Sequence, residues 1–178
     1  MKKMNNIVFK GLLVIAWIIF VGLSIEAGAI IVNFIFSIFK PEFVGKFYQT
    51  LDLSAMYRQS QMSFYTIYAF IIVIVVLKAY LFYLVVEMMH KLDLNKPFNN
   101  LVSKQITQIS YLTFSIGLLS YVAQETVGRI LRKSYEVGNL NQFWTDSRAF
   151  ILMAAIIYVI SVIFSRGIEL QNENDLTV

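Results

Sequence analysis

Four long apolar runs constrain this chain more than any other feature of its 178 residues. They cover residues 11–31, 64–86, 106–124 and 149–165, and polar connectors separate them. A helix needs roughly 20 mostly apolar residues to cross about 30 Å of hydrocarbon. Hydrophobic residues make up 58% of the chain and charged residues 15%, against roughly 45–50% and about 25% in soluble domains. The sequence therefore predicts one all-α domain, an integral membrane four-helix bundle with short amphipathic connector helices.

The first run is interpreted as a spanning helix and not as a cleaved leader. Lys2 and Lys3 precede it, and Ala27-Gly28-Ala29 resembles a small-residue cleavage site. However, the apolar character continues to Phe39, whereas a secretory cleavage region would turn polar. We expect an uncut helix that tilts, or whose residues 34–39 lie in the membrane interface.

The chain lacks the residues for chemistry that depends on cysteine or on paired histidines. It contains no Cys, and His90 is its one histidine. Disulfides and Cys-ligated metal sites are therefore excluded, and a histidine metal site has no second ligand within one chain. The sequence also lacks the zinc-protease, phosphate-loop, nucleophile-elbow and dinucleotide motifs. We predict a non-enzymatic protein without a cofactor or metal.

The net charge of +4 is spread over every polar segment. Because nucleic-acid binding requires a basic patch or stripe, no direct nucleic-acid contact is predicted, and the lipid bilayer is the expected partner. The two sides of the membrane carry seven Lys and Arg residues each, with Lys78 inside a span, so the positive-inside rule gives no orientation. The terminal amine and the weight of the first helix favour both termini in the cytoplasm.

Two ionisable residues, Glu26 and Lys78, lie inside the predicted spans. Charged groups there are costly and are functional candidates by default. Counted from the ends of the predicted spans, their Cα atoms differ in depth by about 10 Å, so an ion pair would need marked tilt. Lys78 is expected to extend to the headgroups on the side of Lys91. Glu26 faces either the opposite interface or the bundle interior beside the polar face of the third span.

Small and hydroxyl residues recur at helical spacing in the last two spans. This pattern favours close helix packing over a polar pathway, and it comprises Ser110, Thr113, Gly117, Ser120 and Gln124, then Ala154, Tyr158, Ser161 and Ser165. The connectors 40–63 and 125–148 mix apolar and charged residues. We expect them to form amphipathic helices that lie on the bilayer, with an extracytoplasmic ligand-binding cap as the alternative.

Residues 166–178 form a polar tail that leaves the last span with an Arg-Gly pair. Its ending from Arg166 to Val178, Arg-Gly-Ile-Glu-Leu-Gln-Asn-Glu-Asn-Asp-Leu-Thr-Val, resembles that of a bacterial family of small four-span membrane proteins. The same family, domain of unknown function 2975, has a Pro-Phe element before its third span, as Pro97-Phe98 here. The predicted partner-docking residues of the tail are Arg166, Gly167, Glu169, Leu170, Glu173, Asp175 and Leu176.

The resemblance implies a location and a partner but supplies no catalytic residue. It implies a multi-pass protein of a bacterial inner membrane. Family genes often neighbour a small helix-turn-helix regulator, which implies a membrane sensor or anchor for such a cytoplasmic protein. The alternatives are a small transporter, channel or immunity-type protein that uses Glu26, and a subunit of a larger complex. A homo-oligomer, a disordered tail and a tail folded onto the second connector also remain open.

Overall fold

Five helices account for most of the chain. The computed structural model describes residues 2–39, 53–92, 98–131, 140, 143–144 and 146–176. The helices are α1 (Lys2–Phe39), α2 (Ser54–Gln59), α3 (Gln61–Lys91), α4 (Asn100–Leu131) and α5 (Ser147–Leu176). The four long helices are apolar enough to cross a membrane, which confirms the predicted all-α four-helix bundle. We call the end where α3 stops and α4 starts the near end, and the opposite end the far end.

The long helices extend beyond the apolar runs. α4 has 32 residues and is about 48 Å long, well over the hydrocarbon thickness. α5 starts at an N-cap, where Asp146 Oδ1 accepts the backbone N–H groups of Arg148 at 3.1 Å and Ala149 at 3.2 Å. It then continues without a break to Leu176. The described part of the predicted tail is therefore a helical extension of the last span and not a disordered segment.

The long helices pack in chain order. α1 packs on α3, α3 on α4, and α4 on α5, while α1 makes no backbone contact with α4 or α5 among the described residues. The inner helices α3 and α4 are accordingly more buried than the outer helices α1 and α5. Of the two positions expected for Glu26, the one beside the polar face of the third span does not follow from this packing order, because α1 packs on α3 and not on α4.

The described parts of the far-end connectors pack into the core. Leu53 and Met56 are 1% and 0% exposed, and Leu140, Phe143 and Trp144 are also buried. They share one hydrophobic cluster with the first half of α3 and the last turns of α4. The prediction of helices that lie on the bilayer is wrong for these residues, because burying their apolar groups inside the protein removes them from both water and lipid.

The small residues of α4 bring α5 close, as the spacing predicts. A Cβ at Gly117 would lie 3.0 Å from Ile151 Cγ1 and 3.2 Å from the backbone nitrogen of Ile151. Ser110 Oγ donates to the carbonyl of Ala154 at 2.9 Å. Nearer the near end, the hydroxyls of Ser103 and Ser165 are 2.9 Å apart. These contacts confirm close helix packing as the role of this face.

Candidate functional site

The near end of α5 is held by the start of α4. Phe98 lies directly over Gly167, where a Cβ would overlap two atoms of the ring and lie 3.1 Å from a third. The same ring packs against Phe164 with a centroid distance of 5.4 Å, and Ile168 is buried. The phenylalanine of the Pro-Phe element and the glycine of the tail thus form one contact, while Pro97 lies outside the described residues.

The α5 extension, residues 166–176, presents its charged residues away from this contact. Arg166, Glu169, Leu170 and Glu173 recur at steps of three and four and are all exposed, and we call them the outward face. Arg166 Nη1 and Glu169 Oε2 form an ion pair at 2.7 Å. The side chains of Asp175 and Leu176 lie outside the described residues, although both positions are helical.

The predicted docking residues therefore have two different roles. Gly167 faces the core and admits the Phe98 ring, so it positions the extension. Leu170 is 61% exposed, and the exposed residues Glu169 and Glu173 belong to the same outward face. An exposed leucine between two acidic side chains on a rigid helix can contact a basic protein partner by combined apolar and ionic interactions.

The second candidate site is the pair Glu26 and Lys78, and the helix register sets their depth. Trp17 Nε1 donates to His90 Nε2 at 3.3 Å, and Asn33 Nδ2 donates to Tyr68 Oη at 2.7 Å. Because α1 and α3 run in opposite directions, the Trp17–His90 bond places Glu26, nine residues after Trp17, opposite residue 81. The Asn33–Tyr68 bond places Glu26, seven residues before Asn33, opposite residue 75. Lys78 is midway between them, so the predicted depth difference of about 10 Å is wrong.

Lys78 is bound to the far end of the bundle. Its Nζ donates to the carbonyl oxygen of Phe143 at 3.2 Å. The prediction that it extends towards the side of Lys91 is therefore wrong, because a backbone carbonyl inside the protein replaces the headgroups as its acceptor. Glu26 lies within electrostatic range of Lys78, but the two form no ion pair within 4.0 Å in the described part of the chain.

Replacing Lys78 with methionine is expected to loosen the segment that carries Trp144. A hydrogen bond from a charged donor contributes about 1.5–3 kcal/mol, and methionine keeps the length of the side chain without the donor. The chain has two Trp residues, so a Trp17→Phe background makes Trp144 the sole fluorophore. We expect the emission of Lys78→Met to shift to longer wavelength. Glu26→Gln is the control and leaves the emission unchanged, and an equal shift in both variants would contradict this role of Lys78.

The fold and these sites define a multi-pass helical membrane protein with a near-end helical extension and a charged pair between its first two long helices. A family model described as a protein of unknown function (DUF2975) matches residues 43–178, which is more than half of the chain. The chain belongs to this family. The match begins after α1, so the family-matched part comprises α2 to α5.

Comparison with curated proteins and with solved structures gives no match. Sequence reasoning kept a tail folded onto the second connector as an alternative but did not identify the contact of Phe98 with Gly167. The signal was available in the resemblance, since the same family pattern contains both motifs. The Phe143 carbonyl was missed because every residue has a backbone carbonyl, and no side-chain pattern indicates which one a lysine will reach.

Proposed function

We propose that this protein is a non-enzymatic membrane anchor or sensor that binds a cytoplasmic regulator on the outward face of α5. The single observation that carries the proposal is the rigid presentation of Leu170 between two acidic residues. α5 is unbroken to Leu176, and Phe98 packs on Gly167 at its base. A pre-ordered helix loses little conformational entropy on binding, which favours docking over a disordered tail.

The partner that fits this face is a small basic soluble protein, and a helix-turn-helix regulator is our choice. DNA-binding proteins carry basic surfaces, which complement Glu169 and Glu173. The proposal places both termini in the cytoplasm of a bacterial inner membrane. The bilayer is then the structural partner, while the regulator alone contacts nucleic acid.

Site-specific photo-crosslinking in cells tests the partner. A photoreactive residue in place of Leu170 is expected to capture the regulator. The matched control replaces Ile163, which is also 61% exposed and lies two turns earlier on the same helix face. We expect no soluble protein at that position. A Leu170 crosslink to no soluble protein, or equal capture at both positions, would overturn docking.

Neutralising the outward face is expected to weaken the captured complex about tenfold or more. The double variant Glu169→Gln, Glu173→Gln removes two carboxylates and with them the charge complementarity to a basic partner. A tenfold loss of affinity corresponds to about 1.4 kcal/mol of binding free energy. Crosslinking yield at Leu170 across regulator concentrations measures the effect. Glu125→Gln removes an exposed acid at the far end of α4 and is expected to leave the yield unchanged. Tolerance of the double variant would contradict an ionic docking face.

Orientation is tested by single-cysteine labelling, because the chain contains no native Cys. Leu170→Cys is expected to resist a membrane-impermeant maleimide in intact cells and to react in inverted vesicles. Labelling of intact cells would place the outward face outside the cytoplasm and would end the proposal.

The second candidate function is a small transporter, channel or immunity-type protein that uses Glu26. The observation that favours it is the shared depth of Glu26 and Lys78, with Glu26 half-buried and without an ion pair among the described residues. Unpaired carboxyl groups inside membranes commonly carry protons or ions. Proton or ion flux measured in proteoliposomes distinguishes this function from anchoring. Flux that is abolished by Glu26→Gln but not by Glu169→Gln would favour the second function.

A further inference from the structure

Two adjoining pockets lie along the outer surface of the α4–α5 contact, and together we call them the groove. The part farther from the near end holds about 450 Å³, and the part at the near end holds about 290 Å³. Tyr111 and Tyr158 line both parts and mark their junction, with ring centroids 6.2 Å apart. Both rings are substantially exposed, so the groove opens sideways to the medium around the bundle, which is lipid for a spanning helix.

The two parts of the groove differ in chemistry. Apolar groups dominate the part farther from the near end, with Phe114, Ile151 and Ala155 in its walls. Hydroxyl and charged groups line the other part, which ends at Arg166 and Glu169. The groove therefore changes from apolar to charged along the helix axis, as an amphiphile does along its length.

The groove follows most of the length of the last span. Arg166 is 15 residues from Ile151, or about 22 Å along a helix. This stretch covers nearly all of the predicted span 149–165, whose end directly precedes Arg166. An amphiphile with its headgroup at Arg166 would therefore place its chain along the apolar part.

We propose that this groove binds one zwitterionic phospholipid whose headgroup carries a phosphate and a primary amine. The charged end offers one cation and one anion, Arg166 and Glu169, which pair with each other at 2.7 Å. Both side chains are exposed, at 76% and 57%, and exposed pairs of this kind contribute little stability. The lipid phosphate replaces Glu169 as the partner of Arg166, since arginine binds phosphate in a bidentate manner, and the amine binds Glu169. The inference does not rest on regulator docking.

Native mass spectrometry of the purified, delipidated full chain, titrated with phosphatidylethanolamine, tests the proposal. We expect one lipid retained per chain. Ala155→Trp fills the apolar part and is expected to weaken retention at least tenfold. Ala149→Trp is the matched control, because Ala149 is also exposed on α5 but does not line the groove, and it is expected to bind as the unaltered chain does. Equal retention by the Ala155→Trp variant would overturn the site.

Headgroup specificity is tested in the same assay. Phosphatidylglycerol has the phosphate without the amine and is expected to bind at least tenfold more weakly. Arg166→Gln and Glu169→Gln are each expected to reduce phosphatidylethanolamine retention. Equal retention of the two lipids, or full retention by both variants, would overturn the assigned headgroup. Because no regulator is present, these results do not depend on whether the docking proposal succeeds.

Discussion

Replacing Gly167 with leucine is expected to release the α5 extension from the start of α4 and to abolish capture of the regulator at Leu170. Even a Cβ at this position overlaps the Phe98 ring, so a leucine side chain must displace it. Phe98 then loses its packing on Phe164. Because Phe98 is 40% exposed, its ring is free to move outward, so we expect the lower end of the cost of overpacking, about 1 kcal/mol. Thermal unfolding in detergent measures the stability, and crosslinking yield measures docking.

A double-mutant cycle with Phe98→Ala identifies the ring as the cause. Without the ring the leucine has space, and replacing a helical glycine by leucine gains up to about 1 kcal/mol of helix propensity. Gly167→Leu is therefore expected to destabilise the unaltered chain and to be neutral or stabilising in the Phe98→Ala background. Equal destabilisation in both backgrounds would show that Phe98 does not set the position of the extension.

Replacing Gly117 with leucine is expected to separate α4 from α5. The added side chain meets the backbone of Ile151, where a Cβ would already lie 3.2 Å from the nitrogen, and a helix backbone cannot rotate away as a side chain can. We expect a loss of about 1–3 kcal/mol from overpacking. Separation also breaks the hydrogen bond from Ser110 to Ala154, which adds about 1 kcal/mol. Chemical or thermal unfolding in detergent measures the sum.

Gly128 provides the matched control within the same helix. It is exposed, and a Cβ there meets no atom of the described residues within 4 Å. Gly128→Leu is therefore expected to leave the stability unchanged or to raise it slightly through helix propensity. If Gly117→Leu is as well tolerated as Gly128→Leu, the close approach of α4 and α5 contributes nothing to stability.

Sequence reasoning located the spans and the packing face of α4 because both depend on local patterns. Hydropathy along one helix determines whether that helix is compatible with lipid. The spacing of Ser110 and Gly117 determines that they share a helix face. The structure confirms the close packing and identifies α5 as the helix that this face contacts.

The intramembrane pair shows where sequence reasoning failed. The ends of the apolar runs predict different depths for Glu26 and Lys78. The Trp17–His90 and Asn33–Tyr68 hydrogen bonds set the actual register of α1 on α3. Register depends on which side chains interlock between two helices, and the apolar length of either helix does not contain that information.

The sequence by itself determined the class of protein, the number of spans and the residues of the tail, because the bilayer imposes its requirements on each helix separately. Only the tertiary structure decided the order of helix packing, the partner of Lys78 and the contact of Phe98 with Gly167. These depend on how surfaces from distant parts of the chain fit together at close packing. The same fit forms the groove between α4 and α5, which neither helix has alone.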